Sequence, residues 1–302
     1  MAGSHPSPRF TFGDIVKLTN KYNLPKAVFD VLAKDDYSSG GADFSVTTLL
    51  KSPREVQLTR IFNDKLEADV SDRVWSLLGQ AAHSVLEKHA CENSMTEERM
   101  FMTICDRTIS GQLDHYHDGC VTDYKVTSVW SIIRGSKIDD WTKQLNSYAY
   151  LFTQNNLSID RLQVVAILRD WSPTEKLRSR DYPECPIVVI PITLWDTNKQ
   201  WEYLVERVIA HSSAATCDKK SLPKCTAEDM WETDPVYAVK KKGRKSAVKL
   251  FPSEQQAQYF IADSKDRKSL SIEFRPGDRK KCANYCFVSS FCSQYQEFKR
   301  GH

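Results

Sequence analysis

The sequence predicts an α/β fold with a mixed central sheet flanked by helices, and two kinds of pattern predict it. Two apolar runs rich in β-branched residues, Arg161–Leu168 and Ile187–Trp195, are typical of buried central strands. Apolar residues recur at helical spacing in Asp69–Ala90 and again in Ile138–Phe152. A sheet interleaved with amphipathic helices buries its faces beneath those helices, which gives an α/β core.

The length of 302 residues suits one large domain with appendages or two modest domains, since domains run to roughly 100–200 residues. We predict an N-terminal extension over 1–44, a core over 45–215, and a small C-terminal α+β module over 216–302 that contains a cysteine cluster. The net charge of +3 does not by itself indicate a nucleic-acid partner. A basic groove then requires uneven placement of the charge.

Two absences in the sequence predict a cytoplasmic protein without a membrane partner. No apolar run approaches the roughly 18–20 residues that a membrane span requires. The stretch Met1–Arg9 also lacks the apolar core of a signal peptide.

The elements of the predicted core follow one another along the chain. Ser45–Thr48 offers a helix start, and Ser71 is a plausible N-cap for the helix within Asp69–Ala90. The segments ISGQLD (Ile109–Asp114) and CVTDYKVTSVW (Cys120–Trp130) are predicted to be two strands. The link between them ends in Asp-Gly, a strong hairpin signal.

Two carboxylates and one ammonium are predicted to converge on this hairpin. Asp123 and Lys125 point to the same face, because side chains at i and i+2 of a strand do so. The hairpin places Asp114 diagonally across from Asp123, within about 7–8 Å. Carboxylates that hold divalent cations neutralise phosphate charge and help to activate water, and a nearby lysine orients that water. The pattern therefore favours phosphodiester hydrolysis, whereas the alternative is an exposed hairpin with a surface ion pair.

Polar residues on the two predicted helices extend this pattern. His83 lies four residues after Gly79, and a neutral imidazole there is a further candidate metal ligand. Gln144 and Tyr148 lie four residues apart on one face of the next helix. Taken alone, His83 is more often a core histidine, and the other two are more often the polar edge of a buried stripe.

The ordered set G-x3-H, G-Q-L-D, D-Y-K and Q-x3-Y, over residues 45–170, resembles the RecB-type branch of the PD-(D/E)XK nuclease superfamily. Longer segments, among them DFSVTTLLKSPREVQL and DYKVTSVW, are similar to phage and prophage nucleases of that superfamily. The resemblance implies a restriction-endonuclease-like core that binds Mg²⁺ or Mn²⁺. By this resemblance the metal ligands are Asp114, Asp123, the accessory ligand His83 and the backbone carbonyl of Tyr124. The catalytic residues are Asp114, Asp123 and Lys125. Gln144 and Tyr148 would contact DNA or support the site.

The resulting expectation is a metal-dependent DNA nuclease, an exonuclease in phage DNA processing or recombination within the bacterial host cytoplasm. A structure-specific or nicking endonuclease and a catalytically silent DNA-binding subunit remain alternatives, and nothing in the sequence excludes RNA as the substrate. The resemblance also suggests a phage single-strand-binding or recombination protein as a partner. Ring-shaped oligomers occur among related phage exonucleases, and no residue pattern here decides the oligomeric state.

Four cysteines are candidate ligands for a second metal group. Cys282, Cys286 and Cys292 are closely spaced near the C-terminus, and four thiolates hold an iron–sulfur cluster or zinc. Some RecB-type nucleases carry a [4Fe-4S] cluster bound by one cysteine before the core and three after it. Here Ser52 stands where the early cysteine precedes Pro-Arg, which leaves Cys225 as the substitute. The alternative is a set of buried free thiols.

Overall fold

The computed structural model describes residues 17–34, 38–89 and 91–301, so part of the predicted N-terminal extension lies outside the described residues. The strands are β1 (Lys17–Thr19), β2 (Phe44–Ser45), β3 (Glu67–Asp69), β4 (Met95–Thr96), β5 (Arg99–Ile104), β6 (Arg107–Gln112), β7 (His115–His117), β8 (Cys120–Thr127), β9 (Arg161–Leu168), β10 (Ile187–Ile192), β11 (Val236–Lys241), β12 (Lys249–Phe251) and β13 (Leu270–Arg275). The helices are α1 (Lys26–Ala33), α2 (Val46–Leu49), α3 (Pro53–Ile61), α4 (Val74–Glu87), α5 (Val129–Ile133), α6 (Ile138–Gln154), α7 (Pro173–Arg178), α8 (Thr197–Thr216), α9 (Ala227–Met230), α10 (Glu254–Asp263), α11 (Lys280–Asn284) and α12 (Ser293–Gly301).

The central sheet has the strand order β10-β9-β8-β7-β4. Strands β8 and β9 are parallel, while the remaining neighbours pair antiparallel. Helix α6 packs against this sheet and also against a second sheet of order β2-β6-β5. The predicted α/β fold with a mixed sheet flanked by helices is therefore confirmed.

The apolar face of α6 lies at the centre of the larger core. Leu145, Ala149 and Phe152 are almost fully buried there, as their helical spacing predicts. Gly111 on β6 allows close approach, because a Cβ atom at this position would lie 2.6 Å from Leu151 Cδ2. The same helix carries Gln144 and Tyr148, so this packing fixes their distance from the strands.

The prediction of two buried central strands is right for β9 and wrong for β10. Strand β10 is an edge strand on which Ile187 and Val189 are 52% and 57% exposed. Pro191 lies within β10 and has no N–H to donate to a further strand, which suits an edge position. A continuous apolar run does not by itself distinguish a central strand from an edge strand.

Two local predictions around the hairpin and the long helix also need correction. The hairpin exists, but its first strand is the short β7, whereas the predicted strand Ile109–Asp114 contributes to β6 in the other sheet. Residues Val70–Arg73 form a 3₁₀ turn before α4, so Ser71 is not the N-cap. Instead, Asp69 accepts a hydrogen bond from the Ser71 N–H at 3.1 Å.

A second, smaller core joins α3 to the C-terminal part of the chain. Leu58 of α3 and Ala214 of α8 pack there with Leu222, Val288 and Cys292. Strands β12, β11 and β13 form a separate antiparallel sheet against which α10 packs. Within the described residues, no helix combines the length and the apolar character needed to cross a membrane.

Candidate active site

Strand β8 presents Asp123 and Lys125 on one face of the sheet, as the alternation of a strand requires. The ammonium of Lys125 lies 2.7 Å from Asp123 Oδ1 and 2.6 Å from Oδ2. Asp123 is only 2% exposed and Lys125 is partly buried, so the two do not form an exposed surface ion pair. The Oδ2 atom accepts no aligned hydrogen bond, which leaves a buried anionic oxygen available to a further cation.

The hairpin brings Asp114 to the same place. Asp118 and Gly119 both have positive φ, which is the backbone conformation that a two-residue turn between β7 and β8 demands. The pairing of His115 with Thr122 sets Asp114 beside β8, where its Oδ2 accepts the Tyr124 N–H at 2.7 Å.

Helix α4 brings His83 close to the other carboxylate oxygen of Asp114, Oδ1. Its Nε2 lies 3.0 Å from the carbonyl oxygen of Tyr124, the backbone group predicted to complete a metal shell. Its Nδ1 lies 3.5 Å from Asp114 Oδ1 and 3.6 Å from Glu97 Oε1. The predicted residues of α4, β8 and the hairpin therefore meet at one point.

Glu97 is a site residue that the sequence analysis missed. Its position between β4 and β5 has a left-handed φ of 52°, and its Oε2 accepts a hydrogen bond from Gln112 Nε2 at 2.8 Å. The only sequence signal was indirect, since Gln112 is the glutamine of the G-Q-L-D motif that supplies Asp114. A non-glycine residue held in this conformation costs about 1 kcal/mol or more, which the surrounding contacts must offset.

The group His83, Glu97 and Asp114 is able to hold a metal ion, because its ligand atoms lie within 4.8 Å of one another. The carboxylate oxygens suit Mg²⁺ or Mn²⁺, whereas the imidazole nitrogen is a ligand more typical of transition metals. Asp123 Oδ2, which lies 2.6 Å from Lys125 Nζ without an aligned hydrogen bond, adds a further oxygen of the same chemistry beside the group. The residues present thus fit the divalent cation that the sequence analysis expects.

The charges in this group perturb one another strongly. Burial and then the negative charge of Asp123 raise the pKa of Asp114 well above its usual range. Contact with Glu97, reinforced by Asp114, raises the pKa of His83 to about 9. Burial lowers the pKa of Lys125, but the carboxylates of Asp123 and Asp114 outweigh burial and raise it overall. The site is thus a concentration of negative charge that recruits positive charge.

A pocket of about 190 Å³ opens onto these groups. Asp114, Asp123 and Lys125 line it together with the predicted pair Gln144 and Tyr148. Gln144 Nε2 donates a hydrogen bond to the Tyr148 hydroxyl at 3.1 Å, which orients the amide at the edge of the pocket.

The four predicted cysteines line one small cavity of about 20 Å³ between α3 and the C-terminal segment. Cys225 Sγ lies 3.1 Å from Ser52 Oγ, and Arg54 Nε donates to Cys292 Sγ at 3.3 Å. Among the described residues, however, no three cysteine sulfurs lie within 4.8 Å of one another. No closed cysteine ligand group is therefore present in this arrangement. Burial raises the pKa of Cys225 to about 11 and that of Cys286 to about 12.

Comparison with known proteins shows only distant structural similarity. No protein-family model matches the chain, and no curated protein matches it. A phage-related exonuclease from Haemophilus somnus 129PT is similar with a TM-score of 0.36 and 15% identity, over 62% of this chain and 90% of that one. The crystal structure of SSO0001 is similar with a TM-score of 0.37 and 17% identity, over 61% of this chain and 82% of that one. Similarity at this level carries no argument about the function of this chain.

Proposed function

We propose that this protein is a divalent-metal-dependent DNA nuclease that hydrolyses phosphodiester bonds, and that it acts as an exonuclease. The observation that carries the proposal is the convergence of Asp114, Asp123, Lys125 and Glu97 at one pocket. His83 lies behind this group, with its Nδ1 3.5 Å from Asp114 and 3.6 Å from Glu97. A structural scaffold has no use for three carboxylates so close together, because their mutual repulsion destabilises the metal-free fold.

Each group has a defined part in the proposed hydrolysis. Mg²⁺ or Mn²⁺, held by Asp114, Glu97, Asp123 and His83, supplies charge neutralisation at the phosphate when bound. The ammonium of Lys125, fixed by Asp123, faces the pocket and orients the attacking water. Gln144, held by Tyr148, offers its amide to the DNA backbone at the edge of the pocket. Because the nucleophile is water, the chain forms no covalent intermediate.

Cleavage of end-labelled linear DNA beside covalently closed circular DNA, with Mn²⁺ or with EDTA, tests the proposal. We expect metal-dependent loss of the linear substrate alone. Lys125→Ala is expected to lower the rate about 10²–10⁴-fold, and Asp123→Ala to abolish cleavage, while both variants retain DNA binding. Cleavage of the circle would assign the protein as a nicking or structure-specific endonuclease. Binding without cleavage of either DNA would assign it as a silent DNA-binding subunit.

We also propose that Cys225, Cys282, Cys286 and Cys292 hold a [4Fe-4S] cluster, with zinc as the alternative. The shared cavity supports this proposal, as does the Arg54 N–H aimed at the sulfur of Cys292.

Metal analysis of anaerobically purified protein tests the cysteine proposal separately from cleavage. We expect iron and acid-labile sulfide in the wild-type protein and their loss in Cys286→Ser, whereas Cys185→Ser, which alters an exposed thiol, retains them. Zinc in place of iron would select the alternative, and a wild-type protein without either metal would leave the cysteines as free thiols.

A further inference from the structure

A groove of about 620 Å³ runs from the catalytic pocket towards the C-terminal part of the chain. Lys125 and Gln144 line both the groove and the catalytic pocket, so the two are continuous. The groove continues along α6 and α8 to α9, where Trp231 lines it. Anything bound along this groove therefore has one end beside the groups that face the scissile bond.

Trp231 has a backbone conformation that its side chain does not favour. It follows α9 with a φ of 49° and a ψ of 48°, the left-handed region that glycine occupies at the least cost after a helix. A capping box of Thr226 and Asp229 stabilises the N-terminus of α9, and this interaction does not involve the Trp231 side chain. A large aromatic residue at this position indicates a role for its ring beyond ending the helix.

The indole of Trp231 is 41% exposed. Tyr285 packs beside it with ring centroids 5.2 Å apart, and Lys137 Nζ lies 5.0 Å from its centroid. These contacts fix the ring while a large part of it faces solvent. An aromatic ring that is held in place at the wall of a groove is a platform on which a planar group stacks.

The charge of the groove suits a polyanion that carries planar groups. Six lysine or arginine residues and four acidic residues line it, an excess of two positive charges. Several of the cations already have partners: Lys143 pairs with Asp139 at 2.6 Å and also with Glu228, and Lys137 pairs with Asp140 at 3.5 Å. Charge alone is therefore a modest source of affinity, and stacking is the main specific contribution that the groove offers.

We propose that the groove holds the unpaired strand of the DNA substrate, with a base stacked on Trp231. Grooves that bind single strands combine positive charge with aromatic side chains, because every unpaired base exposes a face for stacking. Bases within a duplex already stack on one another and do not offer that face. The inference rests on the proposed nuclease function, since it makes single-stranded DNA the strand delivered to Lys125.

Binding measured in EDTA tests the groove without any contribution from cleavage. The probe is a fluorescein-labelled oligothymidylate, and a blunt-ended duplex serves as the comparison. Trp231→Gly is expected to weaken oligothymidylate binding about 5- to 150-fold while leaving duplex binding unchanged, and Trp231→Phe to retain most of the affinity. The matched control is Trp201→Ala, because Trp201 is 40% exposed and packs on Tyr150 but does not line the groove.

A stability measurement separates a binding role of Trp231 from a structural one. Glycine relieves the left-handed strain, so Trp231→Gly is expected to unfold in urea at a concentration no lower than the wild-type protein. Tyr285→Ala provides a second variant, and it is expected to weaken oligothymidylate binding as well. Oligothymidylate affinity equal to wild type in both variants, or an equal loss for the duplex, would overturn the proposal.

The outcomes for the groove and for the nuclease function are distinguishable. Binding that depends on Trp231 in a protein that cleaves no DNA with Mn²⁺ would support the groove and overturn the nuclease proposal. Metal-dependent cleavage together with oligothymidylate binding that does not depend on Trp231 would overturn only the proposal for the groove.

Discussion

Glu97 and Glu98 are neighbouring carboxylates with different surroundings. Glu97 faces His83 and Gln112, whereas Glu98 is exposed. Glu97→Gln is expected to weaken Mn²⁺ binding at least about 10–100-fold, the loss typical of disturbed groups around a metal. Titration calorimetry with Mn²⁺ measures the change.

Glu98→Gln is the matched control, because it removes the same charge one residue away. We expect its Mn²⁺ affinity to equal that of the wild-type protein. Equal losses in the two variants would show that overall charge, and not the geometry of Glu97, determines the affinity.

His211 predicts a pH dependence of stability. Burial and then the positive charge of Arg207 lower its pKa to about 4, against roughly 6.5 in an unfolded chain. Between these pH values the unfolded state binds more protons than the folded state. The contribution of the neutral His211 to the free energy of unfolding is therefore fully present above about pH 6.5. It falls by about 3 kcal/mol as the pH drops towards 4. Urea unfolding of the wild-type protein and His211→Gln at pH 7 and pH 4.5 measures the difference. An equal pH dependence in both would exclude His211 as its source.

At the residue scale, the site residues that lie within a sequence motif were predicted, whereas Glu97, which lies outside any motif, was missed. Asp114, Asp123 and Lys125 follow from strand alternation and an Asp-Gly turn, which are local rules. Glu97 reaches the site through a left-handed residue between two strands of different sheets. No local rule predicts that path, because the contacts with His83 and Gln112 that hold it are distant in sequence.

Two glycines at the element scale have opposite structural roles. Gly79 lies within α4, and an added Cβ atom there meets no atom within 4 Å. Gly79→Ala is therefore expected to raise the free energy of unfolding by about 0.5–1 kcal/mol, the entropic cost of a helical glycine.

Gly111→Ala is the comparison, since its Cβ atom would lie 2.6 Å from Leu151 Cδ2. We expect a loss of about 1–3 kcal/mol from overpacking beneath α6. Urea unfolding measures both changes, and destabilisation by Gly79→Ala would indicate a packing role for Gly79 that the structure does not show.

Among the elements, those with a strong period or turn signal were predicted well. Helix α6 begins at Ile138 as predicted and ends two residues later than expected, at Gln154. The edge position of β10 was not predictable, since apolar periodicity reports burial and says little about strand order. The cap of α4 was missed because Asp69 caps a 3₁₀ turn before the helix begins.

For the whole molecule, the crowded carboxylates predict that metal binding stabilises the fold. A ligand at a hundred times its dissociation constant adds about 2.7 kcal/mol, which corresponds to a rise in Tm of about 5–10 °C at 2–4 °C per kcal/mol. Calorimetry with Mn²⁺ and with EDTA measures the shift. Asp114→Ala is expected to abolish this rise in Tm. A wild-type Tm that is the same with Mn²⁺ and with EDTA would contradict the proposed metal site.

The contact between Arg54 and Cys292 joins residues 238 positions apart in the chain. At a synthesis rate of about 5–20 residues per second, Cys292 is therefore made on the order of ten seconds or more after Arg54. Throughout that interval Leu58, which the completed protein buries, has no cover from Val288. The apolar side of α3 thus stays exposed to solvent during synthesis until the C-terminal segment is made. We expect a chaperone to bind the nascent chain at this side.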